Sequence, residues 1–396
     1  AFASLNHCTR VEMTSMAAPI CSIIFTRWFF HRSTRTGIRC SAAHSPAFFS
    51  CSASVGTRPA LVSGQELGNR VADPDGWRRN YLLPLRRFRR LDRVRVLHGR
   101  ITAVDLPAKE VAVDLADGTT TTAPYDVLVI ATGVTNGFWR SDRVEDLAGV
   151  EAGLAAVAEQ VDAATTVAVV GGGATGVSAA YNLARRHPDK DVHLFFAQDE
   201  PLPDYHPDAR RRLGRHLEKV GVHLHPGHRA ALPEGFAGQE LTHDPVEWST
   251  GQDAFAADVV LWAVGKVRPN TGFLPAEILD EHGFVRVDEH LQVIGHPEVF
   301  AVGDVAATDP NRSSARNWGY RVVTHNVAVA LKGAGKQKAF TPPRYRWGSI
   351  TGIQDDGLTV FQPNGKAFRV PRWAVEPVLF RFFTERLLYR GLRRDV

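Results

Sequence analysis

The stretch Val167-Ala-Val-Val-Gly171-Gly-Gly-Ala-Thr-Gly176 decides the fold. Its four apolar residues read as a strand buried on both faces, and they run straight into glycines spaced Gly171-x-Gly173-x-x-Gly176. Beyond the last glycine, Val177 to Arg186 reads as a helix and Val192-His-Leu-Phe-Phe196 as a second strand. Strand, glycine turn, helix and strand within about 30 residues is the setting a dinucleotide fingerprint requires. The first glycine permits a tight turn, the second lets a pyrophosphate approach the backbone, and the third lets helix and strand pack closely. The helix start offers amides without helical acceptors, and the positive end of its dipole, to the phosphates. Gly171, Gly172, Gly173, Thr175 and Gly176 are therefore assigned to a nicotinamide cofactor. An acidic residue usually ends the second strand to hold the adenosine ribose, but here the place falls on Phe196 or Ala197. Asp199 and Glu200 lie slightly later as substitutes, and no Arg follows directly to hold a 2′-phosphate, so the sequence admits either NADH or NADPH.

Outward from this unit the same texture repeats. Tyr125-Asp-Val-Leu-Val-Ile-Ala-Thr-Gly133 is a buried strand ending in a small-residue turn, and an Ala-rich helical connector spans Glu151 to Ala164. Downstream, Ala257-Asp-Val-Val-Leu-Trp-Ala-Val-Gly265 and Val299-Phe-Ala-Val-Gly-Asp304 follow the same pattern. A helical stretch covers about 315 to 332, composition shifts between Lys336 and Pro343, and a β-rich unit runs from Gly348 to Arg369. Upstream, Val94 and Val96 alternate with Arg, Val111, Val113 and Leu115 alternate in turn, and Asp117-Gly118 marks a hairpin turn. The basic segment Trp77 to Arg90 reads as a solvated helix face leading into a sheet rather than a nucleic-acid patch.

Composition narrows the classes. The 396 residues allow two or three domains, and no run of about 18 apolar residues points to a transmembrane helix. Residues 366 to 396 hold eight Lys or Arg against three acids, which by itself equals the net charge of +5, so the basicity is local and no nucleic-acid motif accompanies it. All 4 cysteines lie in the first 51 residues with no Cys-x-x-Cys pair, which excludes dithiol chemistry in the body of the protein. The histidines lack metal-ligand spacing, and no metal site is expected.

In their order, Tyr125 to Gly133, Gly171 to Gly176, Asp258 to Gly265 and Gly303-Asp304 resemble the pyridine nucleotide-disulfide oxidoreductase superfamily. Within it the chain is most similar to the apoptosis-inducing-factor and ferroptosis-suppressor type, with type II NADH dehydrogenases as near relatives. The resemblance implies an α/β fold of two Rossmann-like three-layer domains plus a small C-terminal α+β domain. It implies a discontinuous FAD domain (65–145 and 266–335), an inserted NAD(P)H domain (146–265) and a C-terminal domain (336–396). It further implies that Thr132 and Gly133 sit near the FAD, that Asp304 holds its ribitol or pyrophosphate part with Gly303 allowing close approach, and that Gly265 lies between the two cofactors. On composition alone Asp304 also reads as a helix cap.

Two departures stand out. The family opens with a glycine fingerprint gripping the FAD pyrophosphate, and none precedes residue 65. Residues 1 to 64 instead form an anomalous segment, with Glu12 the single acid in the first 60, no periodicity, and a bias resembling both a mitochondrial transit peptide and out-of-frame translation. No regular structure or function is expected there. The family also often carries Glu two residues after the third glycine, where this chain has Ser178.

Hydride transfer needs positioning rather than a dedicated acid, so no catalytic side chain is assigned, and His325 reads as a core or surface histidine. Trp373 to Arg394 reads as one basic amphipathic helix carrying Val375, Leu379, Phe382, Phe383 and Leu387, suited either to a membrane interface or to packing on its own domain. The expected activity is an FAD-dependent NAD(P)H oxidoreductase delivering electrons to a quinone-like acceptor. The alternatives are a ferredoxin or rubredoxin reductase and a non-catalytic NAD(P)-binding protein. The expected location is cytoplasmic, peripheral to a membrane, or mitochondrial if the leader is a true transit peptide.

Overall fold

The computed structural model describes residues 22–29, 49–62, 67–135, 143–232, 234–236, 241–264, 267–315, 317–389 and 391–393. Two sheets dominate, and the smaller explains the fold most directly. Strands β10 (Thr166–Val170), β11 (Asp191–Phe195), β12 (His223–His225) and β13 (Val259–Trp262) are all parallel, in the order β12-β11-β10-β13. Helix α3 (Ala174–Arg186) joins β10 to β11 and α4 (Pro207–Lys219) joins β11 to β12. The chain then crosses to the far side of β10 to place β13, so the C-terminal end of β10 is the point where strand order reverses and ligands characteristically bind.

Side chains of β10 alternate between two cores. Val167 and Val169 pack with Leu183 of α3, Leu194 of β11, and Leu213 and Leu217 of α4. Ala168 and Val170 face the other way, against Phe195, Val260, Trp262, and Val246 and Trp248 of the segment that crosses this face. Helices thus cover one side and an extended meander the other. Each fully buried aliphatic side chain contributes roughly 1.5–3 kcal/mol. The base of the sheet is pinned by Asp258, whose carboxylate accepts from the amides of Thr165 (2.9 Å) and Thr166 (2.8 Å).

The larger sheet has the order β15-β16-β8-β1-β2-β5-β6-β7. Its members are β1 (Ser22–Phe29), β2 (Phe49–Gly56), β5 (Val94–Asp105), β6 (Glu110–Leu115), β7 (Thr120–Pro124), β8 (Val127–Ala131), β15 (Gln292–Val293) and β16 (His296–Ala301). β8 and β16 pair in parallel, as do β2 and β5, while β5, β6 and β7 form two antiparallel hairpins, the second around the Asp117-Gly118 turn. Between β8 and β2 lies β1, antiparallel to both. Strands therefore occur in the stretch where the sequence offers no periodicity.

Smaller elements fill the gaps. Strands β3 (Ala60–Val62) and β4 (Leu82–Pro84) pair, and β9 (Val134–Thr135) pairs with β14 (Arg268–Pro269) in a ribbon linking the two sheets. Helix α1 (Pro74–Tyr81) is capped by Asp73, which accepts from Gly76 N at 2.9 Å, and it buries Trp77 while Arg78 and Arg79 face solvent. The basic segment from Trp77 is thus a short helix with a solvated face, followed by 3₁₀ turns rather than more helix. Helix α2 (Leu147–Ala163) is the Ala-rich connector, and α5 (Gly319–Lys332) lies within the expected helical stretch. Strands β17 (Ile353–Gln354), β18 (Gly357–Phe361) and β19 (Ala367–Pro371) form the C-terminal sheet.

The tail corrects the sequence reading. Helix α6 (Arg372–Ala374) continues as a wider helix over Val375–Leu388 with five-residue spacing, as in the bond from Tyr389 N to Thr384 O (2.8 Å). It then ends, and the chain folds back. Tyr389 meets Phe88 edge-on at 5.2 Å, Leu392 bridges to Phe88, and Arg393 pairs with Asp92 at 2.5 Å. The wider pitch spreads the apolar stripe. Val375 is buried, whereas Phe382, Phe383 and Leu387 are exposed beside Arg381 and Arg386.

Candidate functional site

The turn after β10 is built as its glycines dictate. Gly171 has φ +130°, and a Cβ there would stand 2.4 Å from Ala263 O. At Gly176 a Cβ would stand 1.9 Å from Gly171 O, so only glycine lets α3 approach the strand. Gly172 rests on Phe196, with 2.6 Å between a built Cβ and that of Phe196. Gly173 differs from all three: a Cβ would meet open space, and this residue is the N-cap of α3 with no side-chain cap. The open side of Gly173 and the uncapped helix start, whose first helical bond is Val177 N to Gly173 O, fit a dinucleotide pyrophosphate.

At the end of β11, Phe196 is buried under the turn and cannot reach a ribose. Arg210 engages Glu200 at 3.5 Å and the carbonyls of Glu200 and Pro201 (both 3.1 Å), while Asp199 is exposed. Ser178, one helical turn after Thr175, is buried. It is 3% exposed and packs on Gly68 of the 3₁₀ turn Leu67–Val71, where a Cβ would stand 2.5 Å from that of Ser178.

The second half assembles around Asn270, a residue the sequence reading missed. Asn270 Nδ2 donates to Thr132 O (2.9 Å), its amide donates to Gly133 O (3.1 Å), and its backbone carbonyl and Oδ1 accept from the Thr132 (2.8 Å) and Thr135 (2.7 Å) hydroxyls. It sits in a loop, and nothing local signals its partners 138 positions away. Thr132, Thr135 and Asn270 line a cavity of about 500 Å³ with Thr57, Arg100 and Arg268.

Gly303 has φ +88°, and its amide donates to the buried Ser314 hydroxyl (2.8 Å). Asp304 does not cap a helix, since α5 begins at Gly319 with Trp318 as its N-cap. It instead lines a second cavity, of about 150 Å³, together with Thr175, Asn311, Arg312, Tyr345 and Arg346. Asp309 shapes that wall, accepting from Asn311 N (2.9 Å), Ser313 N (2.9 Å) and the Ser313 hydroxyl (3.0 Å). Arg346 ties it to the other sheet, 3.3 Å from both Asp204 and Asn311 Oδ1. The Asp-Pro-Asn run at 309–311 is a turn signal that sequence reading had available.

The structure therefore brings Thr175 and Asp304 onto one cavity and Thr132 onto another, with β9 between them and Gly133 bonded through its carbonyl to Asn270 N. Gly265 lies outside the described residues. His325 Nε2 lies 3.0 Å from Lys336 O, away from both cavities. Among the described residues no group of His, Cys, Asp or Glu is arranged to hold a metal.

The ends of β8 and β16 thus open onto these two cavities, through Thr132 and through Asp304. Between β8 and β2, however, β1 starts at the cavity edge, with Ser22 beside Ala131 and Gly56, and runs away from it. The glycine turn implied for an N-terminal parallel strand is thus not formed by the strand that occupies this position.

Residues 55–331 match the family model of pyridine nucleotide-disulphide oxidoreductases. Oxidoreductase ptaL of Pestalotiopsis fici is 30% identical over 75% of this chain and 77% of its own length. The type II NADH:quinone oxidoreductase NdhA of Mycobacterium tuberculosis is 29% identical over 62% of this chain, which spans 59% of that protein. Among solved structures, the ferredoxin reductase for the CYP199A2 system from Rhodopseudomonas palustris shares the fold, with a TM-score of 0.55 and 18% identity over 80% of this chain and 82% of its own. The chain belongs to the pyridine nucleotide-disulphide oxidoreductase family, whose cofactors are NAD(P)H and FAD.

Proposed function

We propose that this chain is an FAD-dependent NAD(P)H oxidoreductase that reduces a quinone-type acceptor. One observation carries the reading: Thr175, from the nicotinamide-side turn, and Asp304, from the flavin-side turn, line the same cavity. Bound FAD would supply a two-electron relay from the nicotinamide hydride to the acceptor, which with two protons becomes the quinol. The chain's own residues do the positioning. Gly171, Gly172, Gly173, Thr175 and Gly176 hold the nicotinamide dinucleotide at the start of α3. Thr132, Gly133, Gly303 and Asp304 hold the flavin, with Asn270 and Ser314 fixing the two backbone turns. Val134, Val267, Pro343 and Tyr345 wall the shared cavity and limit water beside the reacting centres. The flavin unit is taken as 65–145 with 266–335, the nicotinamide unit as 146–265 and the C-terminal unit as 336–396.

The quinone acceptor is supported by the likeness to a NADH:quinone oxidoreductase. It is supported further by the tail, where Trp373 is 77% exposed and Phe382, Phe383 and Leu387 are open beside Arg381 and Arg386, a composition suited to a membrane interface. Among the described residues no helix is long and apolar enough to cross a membrane.

The reading is tested on the purified chain. Its flavin absorbance should bleach anaerobically with NADH or NADPH and recover on adding a short-chain quinone. A colourless protein that binds the dinucleotide and reduces nothing would make it a binding protein, and recovery with a ferredoxin alone would change the acceptor. Phe382→Asp with Phe383→Asp should abolish sedimentation with anionic vesicles while leaving flavin bleaching intact; unchanged sedimentation removes the membrane contact.

A further inference from the structure

The sheet face opposite α3 carries a cluster that this function does not use. Parallel pairing sets His193 beside His223 and Phe195 beside His225, and Asp191 points to the same face as His193. The Asp191 carboxylate contacts His223 Nε2 (3.0 Å) and His193 Nε2 (3.1 Å), and His193 Nδ1 lies 2.9 Å from His225 Nε2. The rings stack: His193 is 4.8 Å from His223 and 5.2 Å from His225, and His225 is 4.2 Å from Phe195. The crossing segment adds Ala230, Val246, Trp248, Phe255 and Ala257 to this face, and the titratable groups that act on His225 are His193, His228, His223 and Asp191.

One proton joins His193 and His225. With His193 donating through Nε2 to Asp191, its Nδ1 accepts from His225 Nε2–H. One extra proton can be absorbed. His193 becomes imidazolium beside Asp191, its Nδ1–H now donates, and His225 shifts its own proton to Nδ1. A second extra proton, on His225, sets two N–H groups against each other at 2.9 Å and breaks the bond.

The site feels this directly. His225 O accepts from Phe196 N (3.1 Å), Phe196 O accepts from His228 N (3.0 Å), and Phe195 O accepts from Gly171 N (2.8 Å). Gly172 rests on the Phe196 side chain. We propose that Asp191, His193, His223 and His225 form a proton-linked clamp beneath the dinucleotide turn, holding the end of β11 in place until a second proton releases it. Burial, then the neighbouring His193, His228 and His223, push His225 down to about 4, against a smaller upward pull from Asp191. A released His225 titrates in the ordinary histidine range, so below roughly pH 6.5 each pH unit favours release by up to about tenfold.

The inference rests on Gly171–Gly176 holding the dinucleotide, and two measurements on the full chain separate the two ideas. Calorimetry with NAD⁺, which survives acid, should give a dissociation constant that rises as pH falls from 7.5 toward 4.5. His225→Gln, which donates to His193 but takes no proton, should flatten that rise, and Asp191→Asn should move it to higher pH. Equal profiles for the wild type and His225→Gln overturn the clamp. Imidazole ¹⁵N NMR of the wild type should show His193 and His225 titrating in linked steps; independent titrations overturn it whether or not NAD⁺ binds. Absence of NAD⁺ binding at every pH, with linked titrations intact, overturns the dinucleotide reading and leaves the clamp standing.

Discussion

The two turns proposed to hold the cofactors are built in opposite ways. The turn after β10 is largely one continuous stretch, in which Gly176 packs on Gly171 and Gly172 on Phe196 within about 30 residues, with Ala263 as a distant contact. The region proposed for the flavin is a convergence of distant pieces: Thr132 with Asn270, Gly303 with Ser314, and a sheet position next to β8 held by an antiparallel strand. A local turn fails when one atom is added to it. A convergent one fails when its cross-braces are cut.

The largest effect expected from that contrast is at Gly176. Gly176→Val places atoms inside the strand turn, and we expect a loss of roughly 3 kcal/mol or more, read as a collapsed urea midpoint or insoluble protein. Gly173→Ala, whose Cβ meets open space, should fold with a near-native midpoint and weaken NAD⁺ binding about tenfold, worth roughly 1.4 kcal/mol. If the two variants are equally unstable, the distinction between a packing glycine and a ligand-facing one is wrong.

Second in size is Asn270→Ala. The substitution removes its two side-chain bonds, to Thr132 O and from the Thr135 hydroxyl, and leaves its two backbone bonds in place, so at about 1 kcal/mol each roughly 1–2 kcal/mol of local order should go. Flavin should dissociate faster on dilution while NAD⁺ affinity holds. A parallel fall in both would mean that the halves are coupled through the β9–β14 ribbon.

The contrast also explains what the sequence revealed. The unit at 167–196, the buried run ending at Gly133, the Val299–Asp304 strand and the Asp117-Gly118 turn each announce themselves by local period or turn chemistry, and each lies where expected. Asn270, Asp309 and Arg346 carry no period, because their partners are chosen by the fold. The tail misled for a related reason. A 3.6-residue stripe describes only a helix that keeps that pitch, and Tyr389, Leu392 and Arg393 leave it for partners near Phe88 and Asp92, some 300 positions earlier. Ser178, where the family often carries Glu, packs against Gly68, a contact no motif encodes.

Third comes Arg346→Met, which unties Asp204 from Asn311 across the shared cavity. Both charged partners are partly exposed, so stability should fall by at most about 1 kcal/mol. The consequence should appear in rate: slower flavin bleaching at saturating NADH, with the dissociation constant of NAD⁺ unchanged. An unchanged rate would show that the cavity wall holds without this brace.

The smallest effect separates the halves by pH. The amides of Thr166 and Thr165 hold the Asp258 carboxyl below its ordinary value of 3.8. A carboxylate depressed in the folded state stabilises that state above its unfolded pKa, and the contribution fades as pH falls through the folded value. Asp258→Asn should therefore lower the urea midpoint slightly at neutral pH and converge on the wild type in acid. The loss should be confined to the β10–β13 sheet, seen as faster amide exchange at Val167–Val170 with β8 unaffected. Equal acceleration in β8 would mean that the two sheets open as one unit, and the division between a local and a convergent half would then describe how the sites are assembled but not how the molecule unfolds.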